Sequence, residues 1–508
     1  MSILSVVFAV SLTIQLPQVQ TFIAKKVVRS VTENIQGDIT FEKIHFKPFT
    51  TLVLKNALII DKSPVACPRT GAQVDTFFKA QYIIAKFSMD GLFRQGSIHL
   101  DKAFVSNGLM NLVLEDCPDR GDGDTTAESL TRIFGIDRST KKTKSEKELF
   151  HIRKVEIHNF RFHMFNHMSE LIDYEGGINW NDMDVRNINI NGRELQYKGG
   201  IMYGIADKVS FVEKSGWVCR SISGQTKVGR GRAIIEDLHI QDKWSDLHLP
   251  LYMMSFNSSD DFSDYIEKVK MDGEIAPSDL DFRTLQYFAP QIGDNRIRAR
   301  VSGRMSGYVK DFTVSDVNVS SYAGGFSGKV NGRIYGLPEI DKTGISASIS
   351  NCLLTADGLG KFVSEWMDED ELDLSGYARG IAFHVSGRAR GLLNQLHTDI
   401  SISSLIGKAE GSLNIDNIID DSSPYGISGE VATDNLDVGR IIGTDMVRQV
   451  SLETGFKASI GRGQSFPEVI LDSLKVDRLY LNDYDYRNIA AAGEVSAETF
   501  NGKVICTR

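Results

Sequence analysis

The 508 residues carry a formal net charge of −9, with 42% hydrophobic and 24% charged residues. That balance excludes a disordered chain, and the acidic excess excludes a nucleic-acid binder, which needs a net basic surface to displace counterions from phosphates. Glycine outnumbers proline 45 to 11, which suits sheet and tight turns better than helical bundles.

An uncharged apolar run from Ile3 to Leu16 opens the sequence. It is shorter than the about 20 residues that span a hydrocarbon core, and no Lys or Arg precedes Lys25, as a secretory signal would require. We expect a membrane anchor over 1–16 with an incomplete start; a cleaved signal peptide and a buried core helix are the alternatives. Pro17 can begin a helix over 17–37, where Val19, Phe22, Ile23, Val27, Val31 and Ile35 recur at three- and four-residue spacing up to Gly37. Lys25, Lys26 and Arg29 would meet anionic headgroups there or form a solvated face.

From residue 38 the period changes to two. Ile39 with Phe41, Ile44 with Phe46, then Leu52, Leu54, Leu58 and Ile60 read as strands with one apolar face, and Met110, Leu112 and Leu114 continue the set to 117. Residues 118–150 are charged and Gly-containing, a candidate mobile insertion. A second strand-rich segment runs over 151–275, and a repetitive one over 276–508. Helices are expected near 279–290, 357–370 and 437–443.

Within the last segment Ile297, Ala299, Val301, Gly303, Met305 and Gly307 alternate with Arg298, Arg300, Ser302, Arg304 and Ser306. One face is therefore apolar or bare and the other cationic and polar. Val301-Ser302-Gly303-Arg304 returns as Val330-Asn331-Gly332-Arg333 and as Val385-Ser386-Gly387-Arg388. The fold class expected is mainly β: an elongated, twisted, repetitive sheet forming a groove with an apolar interior. Gly303, Gly307, Gly332 and Gly387 either leave width for an acyl chain or permit bends in a twisted sheet.

Chemistry is sparse. His158, His163 and His167 are the tight histidine cluster, but odd offsets along a strand put His158 and His163 on opposite faces, against a metal site. Gly224 to Gly229 has phosphate-loop spacing, yet Arg230 and Gly231 stand where Lys and Ser/Thr belong. Asp368 to Glu371 with Asp373 lacks calcium-loop spacing. We expect no catalytic residues, no metal and no cofactor. The five cysteines include no C-x-x-C pair. Cys67 and Cys117 each precede a proline and would suit a disulfide in an oxidising compartment; lone reduced thiols are the alternative.

Several stretches together carry a resemblance. Leu16-Pro17-Gln18-Val19-Gln20, Ala24-Lys25-Lys26, Gly37-Asp38-Ile39-Thr40-Phe41 and Leu52-Val53-Leu54-Lys55-Asn56-Ala57 are joined by Gly96-Ser97-Ile98-His99-Leu100. Asp279-Leu280-Asp281-Phe282 before Tyr287-Phe288-Ala289-Pro290, and Asn435-Leu436-Asp437-Val438-Gly439, extend the set. The sequence thereby resembles the start of bacterial TamB (translocation and assembly module) proteins of the AsmA-like group. The resemblance implies a single-pass inner-membrane anchor, a periplasmic β-groove, and a non-enzymatic role in phospholipid transport or in assembling outer-membrane proteins. Family members are usually far longer, so the sequence reads as an N-terminal part or a shortened relative, and docking to an outer-membrane barrel assembly protein stays open.

The groove lining expected on that reading is Leu52, Leu54, Leu112, Leu114, Ile297, Val301, Ile345, Ile349, Ile381, Phe383, Val385, Leu413 and Ile415, facing phospholipid. Two other classes compete: a scaffold offering its sheet edge to nascent barrel strands, and a secreted β-solenoid that binds polysaccharide.

Overall fold

The computed structural model describes residues 37–47, 50–64, 66, 71, 73–88, 97–116, 126–128, 133, 148–167, 176–257, 261, 265–290, 296–322, 324–337, 339–367, 376–417, 424–460, 468–496 and 499–506. The expected anchor over 1–16 and nearly all of the expected helix over 17–37 lie outside them. Among the described residues no helix is long and apolar enough to cross a membrane. The chain is mainly β, as its composition and alternation predict, and it divides into two compact units.

The first unit takes the described residues up to Leu251 together with Thr284–Gly293. Its strands Gly37–Thr40 and Lys43–Lys47 both pair with Thr51–Asp61, which pairs onward with Thr76–Phe87 and Ile98–Asp116. Strand Ile98–Asp116 then lies parallel to Glu148–Asn166, with the short Thr126–Glu128 beside its end. Antiparallel pairing resumes through Asp182–Lys198, Ile201–Glu213, Val218–Gly229 and Arg232–Gln241. One cross-strand row shows why these segments assemble: Ile44, Leu54, Ile83, Val105, Ile157, Ile190, Val209, Ile222 and Ile240 are successive partners. β-branched and Leu side chains stacked across a ladder are the unit of sheet stabilisation.

A line of asparagines kinks this ladder. Asn107 and Asn159 adopt φ near +50°, where Asn is tolerated. Asn159 Nδ2 donates to Asn107 Oδ1 at 2.7 Å, and Asn107 Nδ2 to Gln81 Oε1 at 2.6 Å. The kink resets the alternation. His158 is the partner of Ser106 and His163 of Asn111, so the two histidines share a face, contrary to simple parity.

The second unit takes Tyr252–Arg283 and the described residues from Asp294 onward. From Lys270–Asp281 every strand pairs antiparallel with the next: Arg298–Tyr308, Asp311–Ser321, Phe326–Tyr335, Gly344–Thr355, Ala382–Leu392, Gln395–Ser404 and Gly407–Asp416. Tyr425–Asp437, Val447–Ile460, Glu468–Leu481, Tyr484–Val495 and Phe500–Cys506 complete the ladder.

Helices are few. Phe282–Phe288, Ala356–Met367 and Val438–Ile442 occupy the neighbourhoods that the periodicity marks. The first begins later than 279 because Pro277, Ser278 and Asp279 belong to strand Lys270–Asp281, with Ser278 opposite Val301 and Asp279 opposite Arg300. Pro277 is accommodated at the bulge between Ile275 and Ser278, where the ladder needs no donor from it.

Candidate functional site

In the second unit the registers sort the two faces cleanly. Phe312, Ile334, Ile345, Gly391, Leu396, Ile415, Ile427, Ala458, Val469, Val495 and Phe500 form one unbroken row of partners. Two rows along, on the same face, run Val317, Val330, Ile349, Gly387, Ile400, Gly411, Val431, Thr454, Leu474, Ala491 and Val504. A third carries Cys352, Val385, Ile402, Ala409, Thr433, Leu452, Val476, Ile489 and Cys506.

The opposite face is built from the residues between them. Thr313, Arg333, Ser346, Arg390, His397, Asn414, Ser428 and Lys457 form one of its rows. Its charges neutralise one another across strands: Arg333 pairs with Asp311, Lys329 with Asp316 at 2.6 Å, and Arg300 with Asp279 at 3.4 Å. These pairs are half-exposed and steer register more than they stabilise.

Among the described residues no second layer covers the apolar rows. Their side chains are mostly half-buried, Ile349 and Ile427 are each 39% exposed, and in these three rows Cys352 and Val476 alone are buried. Of the expected lining, Ile345, Ile349, Val385, Leu413 and Ile415 stand on this face, as does Val301, the partner of Val319. Phe383 joins it at one end, packed on a small core of Ala378, Ile381 and Ile406. Ile297 and Ile381 are buried, at 4% and 9% exposure, each one residue before a strand begins, and Ile381 packs with Ala378 and Ile406; they line no open surface. Leu52, Leu54, Leu112 and Leu114 belong to the first unit, where Leu54 is in the row above and Leu112 partners Met164.

Sequence reading missed Leu396, Leu452, Phe456, Leu471 and Leu474 on the same face. Alternation such as Leu452, Thr454, Phe456, Ala458 was the available signal. The glycines do not widen the face: a Cβ on Gly387 would stand 2.7 Å from Asp399 O, and one on Gly303 2.7 Å from Val317 Cα. Neighbouring backbone, therefore, demands glycine there.

An open trough of about 1210 Å³ crosses strands Gly344–Thr355 to Glu468–Leu481, and its lining mixes Ile349, Ile400 and Val431 of the apolar rows with the polar residues beside them. Ser386, Ser401 and Ser412 also line it, as do Arg388, Glu410, Glu430 and Lys475. In the first unit, burial raises the Asp184 carboxyl, but Arg161 and Arg186 outweigh it and hold the group at about 2. Beside it Asp182 accepts from His163 and Lys214, while His158 packs edge-on against Phe104. Among the described residues no group of three His, Cys, Asp or Glu side chains is placed to hold a metal. Cys67 and Cys117 lie outside the described residues.

No protein-family model, no curated protein and no solved structure matches the chain.

Proposed function

We propose that the chain is a non-enzymatic envelope protein whose apolar sheet face carries phospholipid between the inner and outer membranes of a Gram-negative-type cell. The observation that carries this reading is the apolar face of the second unit, continuous across its strands and half-exposed along its length. Leaving a large aliphatic side chain half uncovered forfeits on the order of 1 kcal/mol against full burial, and three such rows forfeit that repeatedly. Acyl chains return it. A lipid crossing water exposes tails at roughly 0.8 kcal/mol per CH₂, and a face that accepts those tails lowers that barrier along its length. Curvature folds the face into a groove in this reading, with the bulges bending the strands. The anchor over 1–16 holds the chain to the inner membrane, with the bulk in the periplasm, as in the TamB-like proteins that the N-terminal residues resemble.

A polysaccharide-binding role is the second reading, favoured by the hydroxyls and carboxylates among the trough's lining. Its lining includes no aromatic ring on which a sugar would stack.

Native mass spectrometry of the full chain purified from a cell envelope tests the proposal. Phospholipid should co-purify, and Val385→Asp or Ile402→Asp should remove it, whereas Ser386→Asp on the polar face should not. A lipid-free wild-type chain, or occupancy indifferent to both apolar-face substitutions, would overturn it.

A further inference from the structure

The second unit has another apolar surface, at one end of its strands. Two turns and a short helix there each send one side chain inward and its neighbour outward. Ile406 is buried against Ala378 and Ile381, while Leu405, at the tip of the hairpin after Gln395–Ser404, is wholly exposed. Ile441 packs on the same cluster and Ile442 is 49% exposed; Ala378 is buried and Tyr377 is 47% exposed. Met446, four residues beyond Ile442, is 59% exposed.

These outward side chains stand on an ordered base. Asp437 N–H donates to Ile406 O at 2.7 Å and Ala378 N–H to Ile441 O at 2.8 Å. Asp437 Oδ1 accepts from Arg440 N–H and caps helix Val438–Ile442, which closes on Gly443 at φ +75°. A fully exposed Leu on so fixed a tip gains nothing from water, and single exposed hydrophobics are ordinary where four gathered together are not.

Two features choose the occupant. The patch is continuous with the apolar face: Phe383 packs on the buried cluster and stands two residues before Val385 on the same strand. Its composition is also interfacial, with aliphatic and Met side chains outermost, Tyr377 among them, and exposed Arg379, Arg440 and Arg448 around them beside exposed Asp445. We infer that this end of the unit seats on the surface of a phospholipid bilayer, Leu405 entering the acyl region and the arginines remaining at the headgroups, and that lipid passes there to or from the apolar face. The inference rests on the reading of that face as a lipid carrier.

Leu405→Trp in the full chain, mixed with phosphatidylcholine vesicles, tests it. The emission added over the wild-type chain should fall at least two-fold when the acyl chains are brominated. Added emission unaffected by bromination overturns the proposal, even in a chain that floats with the vesicles, because contact then lies elsewhere; a protein occupant of the patch would give that result. The double variant Leu405→Asp/Met446→Asp should load lipid from vesicles about ten-fold more slowly while retaining lipid bound during expression. Loading at the wild-type rate overturns the proposal too. Failure of the carrier reading looks different: the wild-type chain holds no lipid, whatever the brominated vesicles show.

Discussion

Thr284 Oγ1 donates a 2.7 Å hydrogen bond to Asp242 Oδ2, two residues 42 apart in sequence and both buried. Asp242 also accepts from Trp217 Nε1 at 3.1 Å and from the backbone N–H groups of Trp244 and Ser245. Ser245 Oγ donates to Thr284 in turn. One carboxylate thus fastens a helix to two turns at the strand ends of the first unit. Thr284→Val removes a donor from a buried carboxylate and should cost about 1–3 kcal/mol, read as a lower urea midpoint by tryptophan emission. Thr284→Ser should retain most of the stability; equal losses in both variants would show that packing, not the bond, matters.

Asp184 makes the same unit acid-sensitive. Its carboxyl titrates at about 2 in the folded chain against 3.8 when unperturbed. A depressed carboxylate contributes stability that is present in full above the unfolded value and is lost as pH falls through the folded one. The window is therefore pH 4 to 2, and the half-exposed guanidiniums of Arg161 and Arg186 limit the contribution to about 1–2 kcal/mol. Asp184→Asn should lower stability at pH 7 and flatten its dependence on pH within that window.

Much of the second unit was legible because one physical rule, alternation on a pleated strand, governs it throughout. Arg298–Tyr308 and Ala382–Leu392 could be read residue by residue, and their shared Gly-Arg step marks equivalent positions. What alternation conceals is the bulge. Asp316, Asn351 and Asn435 take positive φ inside strands, and each shifts the register so that residues three apart share a face. A reader counting in twos loses phase at each of them. Burial of Ile381 depends on Ile406, from a turn distant in sequence, which no local pattern encodes.

Those bulge residues are testable in the first unit. Asn159 combines φ +50° with a side-chain bond to Asn107 and a backbone N–H donated to Asn189 Oδ1. Asn159→Ala should cost about 1–2 kcal/mol, since alanine resists the left-handed region and loses the amide. Asn159→Gly should recover the conformational part alone and fall between alanine and wild type. Thermal melts of the three chains decide it, and alanine matching wild type would mean that the kink needs no asparagine.

Thiol reactivity separates surface from interior. Burial, reinforced by the charge of Asp242, pushes the Cys219 thiol up to about 11, and Cys352 is raised by burial alone. Cys506, on the last strand, is exposed. Because the thiolate is the reactive species, a maleimide at pH 7 should label Cys506 within minutes and leave Cys219 and Cys352 unmodified until denaturant is added, as peptide mass spectrometry would show. Cys352 bears most on function, since it lies in the apolar row beside Val385. If it were labelled as fast as Cys506, water would reach the base of that row, and the face would be too open to retain an acyl chain.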